Sequence, residues 1–203
     1  AISPQASNVY LHSVLDLWFE REVKPALKGR ASLVRFADDA VMTFSNTEDA
    51  LRVFEALPKR FAKFGLDLHP AKTKIIQFQM PRLFSTPGRT ERPETFDFLG
   101  FTHYWGRTRK GGWAVKQNTA RDRLRKAITK IAEWCKAHRH LPIKDQYDAL
   151  SSKLRGHYGY YGVIGNSEAL QLFRREVKMV WRKWLGRRSQ RGRMPWSKFD
   201  LLQ

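Results

Sequence analysis

Two aspartates stand side by side at Asp38 and Asp39, inside the stretch VRFADDAVMTF that runs from Val34 to Phe44. Carboxylate oxygens are the groups that bind hard cations such as Mg²⁺ in proteins. Aspartate is also common in turns, because its side chain bonds the nearby backbone and tolerates unusual dihedral angles. A turn between two strands is the simpler interpretation of this stretch alone, so the remaining sequence has to decide between the two.

Hydrophobic periodicity predicts the elements that position the pair. The apolar runs Leu33–Phe36 and Val41–Phe44 are typical of two strands, with the aspartates between them. The segment Val9–Val23 carries apolar residues at helical spacing over one broad face and is predicted to be a helix. The pair is therefore expected at a tight connection between short strands.

A second helix is predicted after these strands. The spacing from Ser45 to Glu48 is that of a capping box at a helix start. Pro58 interrupts the apolar pattern and predicts a kink or a break, and Gly65 is suited to the helix end. The segment Lys74–Phe78 is then predicted to be another strand.

The C-terminal part of the chain changes in character from sheet to helix. The stretches FDFLGFTHYW and GGWAV are predicted to be the arms of a hairpin joined by the basic loop Gly106–Gly112. Helical periodicity then predicts Thr119–His138, Ile143–Tyr161 and a third helix that begins near Asn166, a residue suited to an N-cap. Three amphipathic helices with short connections form a bundle.

The charge of the chain indicates the class of its partner. Lys and Arg number 38 against 19 Asp and Glu, a formal net charge of +19, and residues 119–203 hold 20 of the basic and 7 of the acidic residues. This excess and its skew favour nucleic acid over an acidic membrane surface. Cys135 is the only cysteine, which excludes an internal disulfide and favours a reducing, cytoplasmic setting. No apolar run is long enough to cross a bilayer.

Blocks of sequence in a fixed order resemble the reverse transcriptases of group II introns. They are ISPQASNVYLHSVLD, FADD between two strands, GLDLHPAKTK, FDFLGF and the C-terminal segments LRGHYGYYGV, WRKWLGRRSQR and MPWSKFDLL. The resemblance implies an α+β fold class, with the C-terminal part of a polymerase palm and its antiparallel sheet at residues 1–118. A basic three-helix thumb, or maturase X-like region, is expected at residues 119–203.

The same resemblance implies an activity and its reactants. It implies RNA-directed DNA synthesis by nucleotidyl transfer with Mg²⁺, an RNA template such as intron RNA, a DNA primer and dNTPs, and no membrane partner. Two metal ions support this chemistry, with Asp38 as the direct ligand and Asp39 as the supporting one. Lys72 matches a residue near the triphosphate that is proposed to protonate the departing pyrophosphate. Its alternative is an ordinary solvated lysine.

Further positions that match the family are expected to contact nucleic acid. Phe36 stands where many relatives have Tyr near the primer end, and it keeps the ring without the hydroxyl. Leu99 and Gly100 match the turn that supports the primer end, although an apolar hairpin that needs a glycine explains them equally well. The candidate phosphate contacts, each of which is otherwise a surface charge, are Arg155, His157, Arg187, Arg188 and Arg191.

The chain departs from the family at its first block. Relatives place a further catalytic aspartate and the fingers upstream of that block, and the given sequence begins there. The resemblance therefore implies an incomplete metal cage and a fragment that is inactive alone. Two alternatives stay open: an RNA-binding maturase or splicing cofactor with a palm used as a scaffold, and a defence- or CRISPR-associated relative. The retained FADD argues against the scaffold, because a scaffold has no need of paired charges.

Overall fold

The structure is a computed structural model that describes residues 4–81, 93–189, 192 and 194–202. Its helices and antiparallel sheets confirm the α+β class. The chain divides into two compact units between Gln79 and Met80. None of the helices in the described part of the chain is long and apolar enough to span a membrane.

The first unit consists of a long helical stretch, a two-stranded hairpin and a second helix. The stretch comprises α1 (Pro4–Leu11), two π-helical segments (His12–Asp16 and Phe19–Val23) and a 3₁₀ turn (Lys24–Ala26). The hairpin comprises β1 (Ala31–Phe36) and β2 (Asp39–Phe44), and α2 spans Thr47–Ala62. The predicted helix and both predicted strands are confirmed.

The core of the first unit forms where the helical stretch and α2 pack against one face of the hairpin. Alternate residues of β1 face this core, while Ser32, Val34 and Phe36 face outward, because side chains of a strand alternate between faces. The buried residues of this core are Leu15, Trp18, Phe19, Val23, Ala31, Val53, Leu57 and Phe61. The hairpin is thus fixed from one side only.

The start of α2 differs in detail from the predicted capping box. Asn46, not Ser45, is the N-cap, and its side chain accepts a hydrogen bond from the Glu48 N–H at 2.9 Å. The Ser45 hydroxyl instead accepts from the N–H of Arg30 at 2.8 Å. The tertiary partner of Ser45 therefore overrides its local capping tendency.

Of the kink or break predicted at Pro58, the break is excluded, because α2 continues through the proline to Ala62. Leu57 and Phe61, on either side of the proline, are both anchored in the core and hold the helix together. Gly65 follows the helix end with a positive φ of 65°, and its N–H donates to the Ala62 carbonyl, as predicted for a stop.

The prediction of a strand at Lys74–Phe78 is also wrong, since these residues have no strand conformation in the structure. A strand exists only when a neighbouring strand accepts and donates its backbone hydrogen bonds. The only sheet of the first unit, within its described residues, contains β1 and β2 alone. Apolar alternation alone therefore does not make a strand.

The second unit combines a three-stranded antiparallel sheet with a helical bundle. The strands lie in the order β3 (Phe96–Phe98), β4 (Phe101–Arg107) and β5 (Trp113–Thr119). The helices are α3 (Arg121–Ala137), α4 (Ile143–Tyr161), α5 (Ser167–Leu185) and the short α6 (Trp196–Asp200). The predicted hairpin and three long helices are confirmed, and the FDF stretch forms a separate strand.

The bundle has its own apolar core, in which Cys135 is fully buried. Burial raises the pKa of the Cys135 thiol to about 11, so it is held as a neutral packing group. The other buried members of this core are Ile131, Leu150, Phe173, Val177, Trp181, Leu185 and Phe199. Cys135 therefore belongs to the core of the bundle rather than to a reactive site.

The sheet of the second unit is tied to the helices by a buried asparagine. Asn166 has no side-chain capping bond to α5. Its Oδ1 accepts from the Thr119 N–H at 2.9 Å, and its Nδ2 donates to the Thr119 hydroxyl and the Tyr161 carbonyl, both at 2.8 Å. The packing therefore groups β3–β5 with the helices, and the palm–thumb boundary between residues 118 and 119 stays a prediction.

Candidate active site

The acidic pair lies at the tip of the β1–β2 hairpin. Phe36 pairs directly with Asp39, so Ala37 and Asp38 alone form the connection between the strands. Ala37 has a positive φ of 54°, whereas Asp38 does not have a positive φ. Positive φ at the first loop position alone is the pattern of a type II′ turn, where glycine is usual. An alanine there is strained, by about 1–2 kcal/mol relative to glycine.

Both carboxylates at this tip are open to a ligand. Asp38 and Asp39 are exposed, and neither carboxylate forms a hydrogen bond or ion pair with another residue in the described part of the chain. Phe36 lies beside them on the outer face of the hairpin, where 66% of its surface is exposed. The structure thus brings together three of the predicted site residues on one small element.

The donor set at the tip suits a hard divalent cation. Two carboxylates supply oxygen ligands, and Mg²⁺ is commonly held by one or two carboxylates together with substrate phosphates. Across the described residues, no group of three or more His, Cys, Asp or Glu side chains is arranged to hold a metal ion. The tip therefore offers two ligands of the right chemistry and relies on further oxygen atoms from elsewhere.

A partly buried ion pair on the inner face of the hairpin links β1 to the helical stretch close to the tip. Arg35 donates from Nε and Nη2 to the two carboxylate oxygens of Asp16, each at 2.8 Å. These bonds lower the pKa of Asp16, and His12 adds a weaker contribution at 3.1 Å. Arg35 was not among the site residues predicted from the sequence. Its signal was a basic residue at an inward position of a strand, where an apolar residue is expected.

Lys72 lies in a turn of the first unit after the second helix. Its backbone N–H donates to the His69 carbonyl at 3.0 Å, and the residue is exposed. Its ammonium group forms no ion pair with any of the residues that the structure describes. Lys72 is therefore free to meet an anionic ligand, and its role stays a prediction.

The predicted turn at Leu99 and Gly100 is present in the second unit and is held by α4. Leu99 and Gly100 have φ values of 51° and 78°, the pattern of a type I′ turn between β3 and β4. The Tyr160 hydroxyl donates to the Leu99 carbonyl at 2.9 Å. A Cβ on Gly100 would lie 2.9 Å from the Tyr161 hydroxyl. Two tyrosines of the YYG segment thus fix this turn, a link that the sequence did not reveal.

Replacement of Gly100 by alanine should destabilise the protein more than the same replacement at Gly111, which has a similar φ but no neighbouring side chain. Gly111 has a φ of 81° and open space around it, so Gly111→Ala measures the cost of the backbone alone, about 1–2 kcal/mol. We expect Gly100→Ala to lower the free energy of unfolding further, because its methyl group also meets Tyr161. Chemical denaturation of both variants tests this, and adding Tyr161→Phe should recover the difference for Gly100→Ala alone. Equal losses for the two glycines would contradict the contact.

Arg155 and His157 lie on α4 in different surroundings. Arg155 is exposed, whereas His157 is half-buried and stacks on Phe173 with a ring separation of 3.9 Å. Its Nε2 is buried and has no hydrogen-bond partner among the described residues. Burial lowers the pKa of His157. The geometry makes packing its evident role in this conformation, and the proposed phosphate contact stays a prediction.

His157 should make the second unit sensitive to mild acid. A histidine whose pKa is lowered by folding stabilises the native state fully above the unfolded pKa of about 6.5, and this stabilisation is lost as the pH falls through the folded value. We expect the free energy of unfolding to decrease from pH 7.5 to pH 5, and His157→Phe to reduce that decrease. The exposed His140→Gln serves as the control. A pH dependence unchanged by His157→Phe would contradict this assignment.

The two described arginines that follow α5 differ in their surroundings. Arg187 is exposed and lies over the Trp184 ring at 5.3 Å. Arg188 donates to the backbone carbonyls of Arg139 and Leu141 in the α3–α4 loop. Arg188 therefore serves the fold in this structure, and Arg191 lies outside the described residues.

An α+β chain with an exposed acidic hairpin tip and a strong excess of basic residues has the features of a nucleic-acid polymerase domain. The sequence model of the family described as reverse transcriptase (RNA-dependent DNA polymerase) matches residues 1–103 of the 203-residue chain. The chain belongs to this family. A search of curated proteins finds no significant match.

The family match ends inside β4 and does not extend over the helical bundle. It includes the hairpin tip, Lys72 and the Leu99–Gly100 turn. Reverse transcriptases use divalent metal ions, an RNA template, a primer and dNTPs, which agrees with the open carboxylates at the tip.

Proposed function

We propose that the chain is the C-terminal palm and the thumb of a group II intron-type reverse transcriptase, which copies an RNA template into DNA. The observation that carries this proposal is the hairpin tip, where two adjacent carboxylates are exposed and unpaired within the described residues. In an ordinary surface turn, two adjacent unpaired negative charges beside the strained Ala37 would bring no benefit. In a metal-binding turn, both carboxylates serve as ligands.

The tip residues would act by binding cations and by remaining rigid. Asp38 and Asp39 would hold Mg²⁺ together with substrate phosphate oxygens. The chemistry that divalent ions bound there would supply is activation of the primer hydroxyl and stabilisation of the leaving group. The paired backbone of β1 and β2 holds the two-residue loop and Asp39 at the end of the hairpin. Lys72 would neutralise the triphosphate and donate a proton to the departing pyrophosphate.

Replacement of Asp38 by asparagine in the full-length enzyme should abolish primer extension. The amide keeps the size of the side chain and removes the negative charge that binds the cation. We expect RNA binding to stay close to that of the wild type, because phosphate contacts determine it. The exposed carboxylate Glu55 on α2 provides a matched control as Glu55→Gln, which should extend primers normally. Normal extension by Asp38→Asn would refute the catalytic assignment.

The helical bundle would bind the nucleic acid through its basic surface. Residues 119–203 carry 20 basic and 7 acidic side chains, and Arg155 and Arg187 are both exposed there. Neutralised phosphates release condensed counterions, so binding that depends on such contacts weakens steeply with salt. The Leu99–Gly100 turn, held by Tyr160, would support the primer end.

The paired change Arg155→Gln and Arg187→Gln should flatten the salt dependence of RNA binding. We expect the slope of log affinity against log salt to decrease in magnitude by about 1–2, since each lost phosphate contact removes close to one unit. Lys28→Gln is the control, because Lys28 already pairs with Glu48 at 3.0 Å. Filter binding of a structured RNA between low and physiological salt measures the slope. A slope unchanged by the paired variant would remove these two arginines from the interface.

A splicing cofactor is the second candidate function, favoured by the same basic bundle. Binding of intron RNA alone would suffice for it, and the acidic tip would then be unnecessary. Intron splicing assays with Asp38→Asn separate the two activities. Splicing that survives together with lost primer extension would indicate that one protein performs both. Defence- or CRISPR-associated relatives share the palm and would show extension without dependence on intron RNA.

A further inference from the structure

The side chain of Arg35 uses all five of its N–H donors. Nε and Nη2 bind the two carboxylate oxygens of Asp16, each at 2.8 Å. Nη1 donates to the Ala37 carbonyl at 2.8 Å and to the Asn8 side-chain oxygen at 3.1 Å, and Nη2 also reaches the Asn8 carbonyl at 3.5 Å. A guanidinium has no further donors to offer. Only 13% of the Arg35 side chain is exposed, so water competes little for these bonds.

One of these bonds fixes the peptide group that precedes Asp38. The Ala37 carbonyl belongs to the peptide plane between Ala37 and Asp38, the central plane of the two-residue loop. Rotation of this plane by half a turn interconverts the type II′ and type I′ patterns and would give Asp38 a positive φ. Aspartate tolerates that conformation, so the loop sequence alone does not prevent the rotation. The Arg35 bond holds the carbonyl in the orientation of the observed pattern.

The other hydrogen bonds of Arg35 connect the Ala37 carbonyl to the helical stretch that packs against the hairpin. Asp16 belongs to a π-helical segment and Asn8 to α1, and the same helical stretch contributes Leu15 and Phe19 to the core. A bidentate guanidinium–carboxylate pair has a defined geometry, which a lysine cannot reproduce. The orientation of the hairpin tip is thereby set by the helix on which the hairpin packs.

We infer that Arg35 is a positioning residue for the acidic tip, which orients the Asp38 carboxylate by holding the Ala37 carbonyl against the helix through Asp16. The inference rests on the proposed function, since it concerns the same pair of carboxylates. The proposed role of Arg35 differs from a purely structural role in one respect. An ion pair between strand and helix would stabilise the unit without any contact to the loop, and Arg35 makes that contact.

The test compares Arg35→Lys and Arg35→Gln with Arg60→Lys. Arg60 is a matched control, because it also bonds a backbone carbonyl of the helical stretch, that of Val14 at 3.1 Å, and pairs with Glu22, but has no bond to the tip. Mn²⁺ is the probe, and its binding at the tip is followed by paramagnetic broadening of the Asp38 and Asp39 amide signals. Primer extension by the full-length enzyme provides kcat and the KM for primer–template separately.

The expected result is a weaker tip site in a folded protein. Groups that orient metal ligands typically contribute about 10–100-fold to metal affinity or activity, so we expect a loss of this size in Mn²⁺ affinity and in kcat for Arg35→Gln. Arg35→Lys should lose less, because one ammonium group reaches either Asp16 or Ala37 and keeps the charge. The KM for primer–template should not change. Arg60→Lys should lower thermal stability without changing Mn²⁺ affinity or kcat.

Three results decide against the inference, and one of them also decides against the proposed function. Wild-type Mn²⁺ affinity and kcat in folded Arg35→Lys and Arg35→Gln would leave Arg35 a structural residue. If Arg35→Gln does not fold, wild-type values in Arg35→Lys alone lead to the same conclusion. Equal losses in Arg60→Lys would show that general destabilisation is responsible. Normal extension by Asp38→Asn, with no Mn²⁺ at the wild-type tip, would overturn the proposed function together with the inference.

Discussion

The first unit depends on a constraint that the two-residue turn imposes on its hairpin. Phe36 and Asp39 are already paired, so no loop residue is available to relax the strained φ of Ala37 or to separate the two negative charges. The surrounding structure must therefore hold a conformation that the loop does not favour by itself. Strain of this kind persists only where neighbouring contacts over-determine the backbone. Here those contacts come from one guanidinium below the loop and from the apolar face of the hairpin.

The second unit solves a similar problem with different chemistry. Its Leu99–Gly100 turn also has positive φ values, but the contacts that hold it are aromatic and neutral. Tyr160 hydrogen-bonds the turn, and its ring stacks on Phe101 at 6.0 Å. Asn166 then fixes the end of β5 to the C-terminal end of α4. Sheet and helices of this unit are consequently one packing group, although their sequence patterns change abruptly between them.

Local sequence patterns predicted most of the elements and the acidic tip. Strands β1 and β2 followed from short apolar runs, and the bounds of α4 were predicted without error, because periodicity records which face of an element is buried. What the sequence missed depends on partners distant in the chain. Lys74–Phe78 has strand-like alternation but belongs to neither sheet of the described residues, and Arg35 bonds Asp16 nineteen residues earlier. Capping residues Ser45 and Asn166 were redirected by tertiary hydrogen bonds for the same reason.

The α3–α4 loop has a consequence for how the bundle assembles. Its carbonyls at Arg139 and Leu141 are satisfied by Gln146 from α4 and by Arg188 beyond α5, while the other end of the Gln146 amide binds Trp181 on α5 at 2.9 Å. Two neighbouring helices joined by a short loop ordinarily form as a local, fast-closing pair. Within this pair, the side-chain oxygen of Gln146 lacks its Trp181 donor until α5 has docked, and Trp181 lies 35 residues later in the chain. Folding of the bundle therefore waits for a distant contact, and α3 and α4 should open together with α5 rather than by themselves.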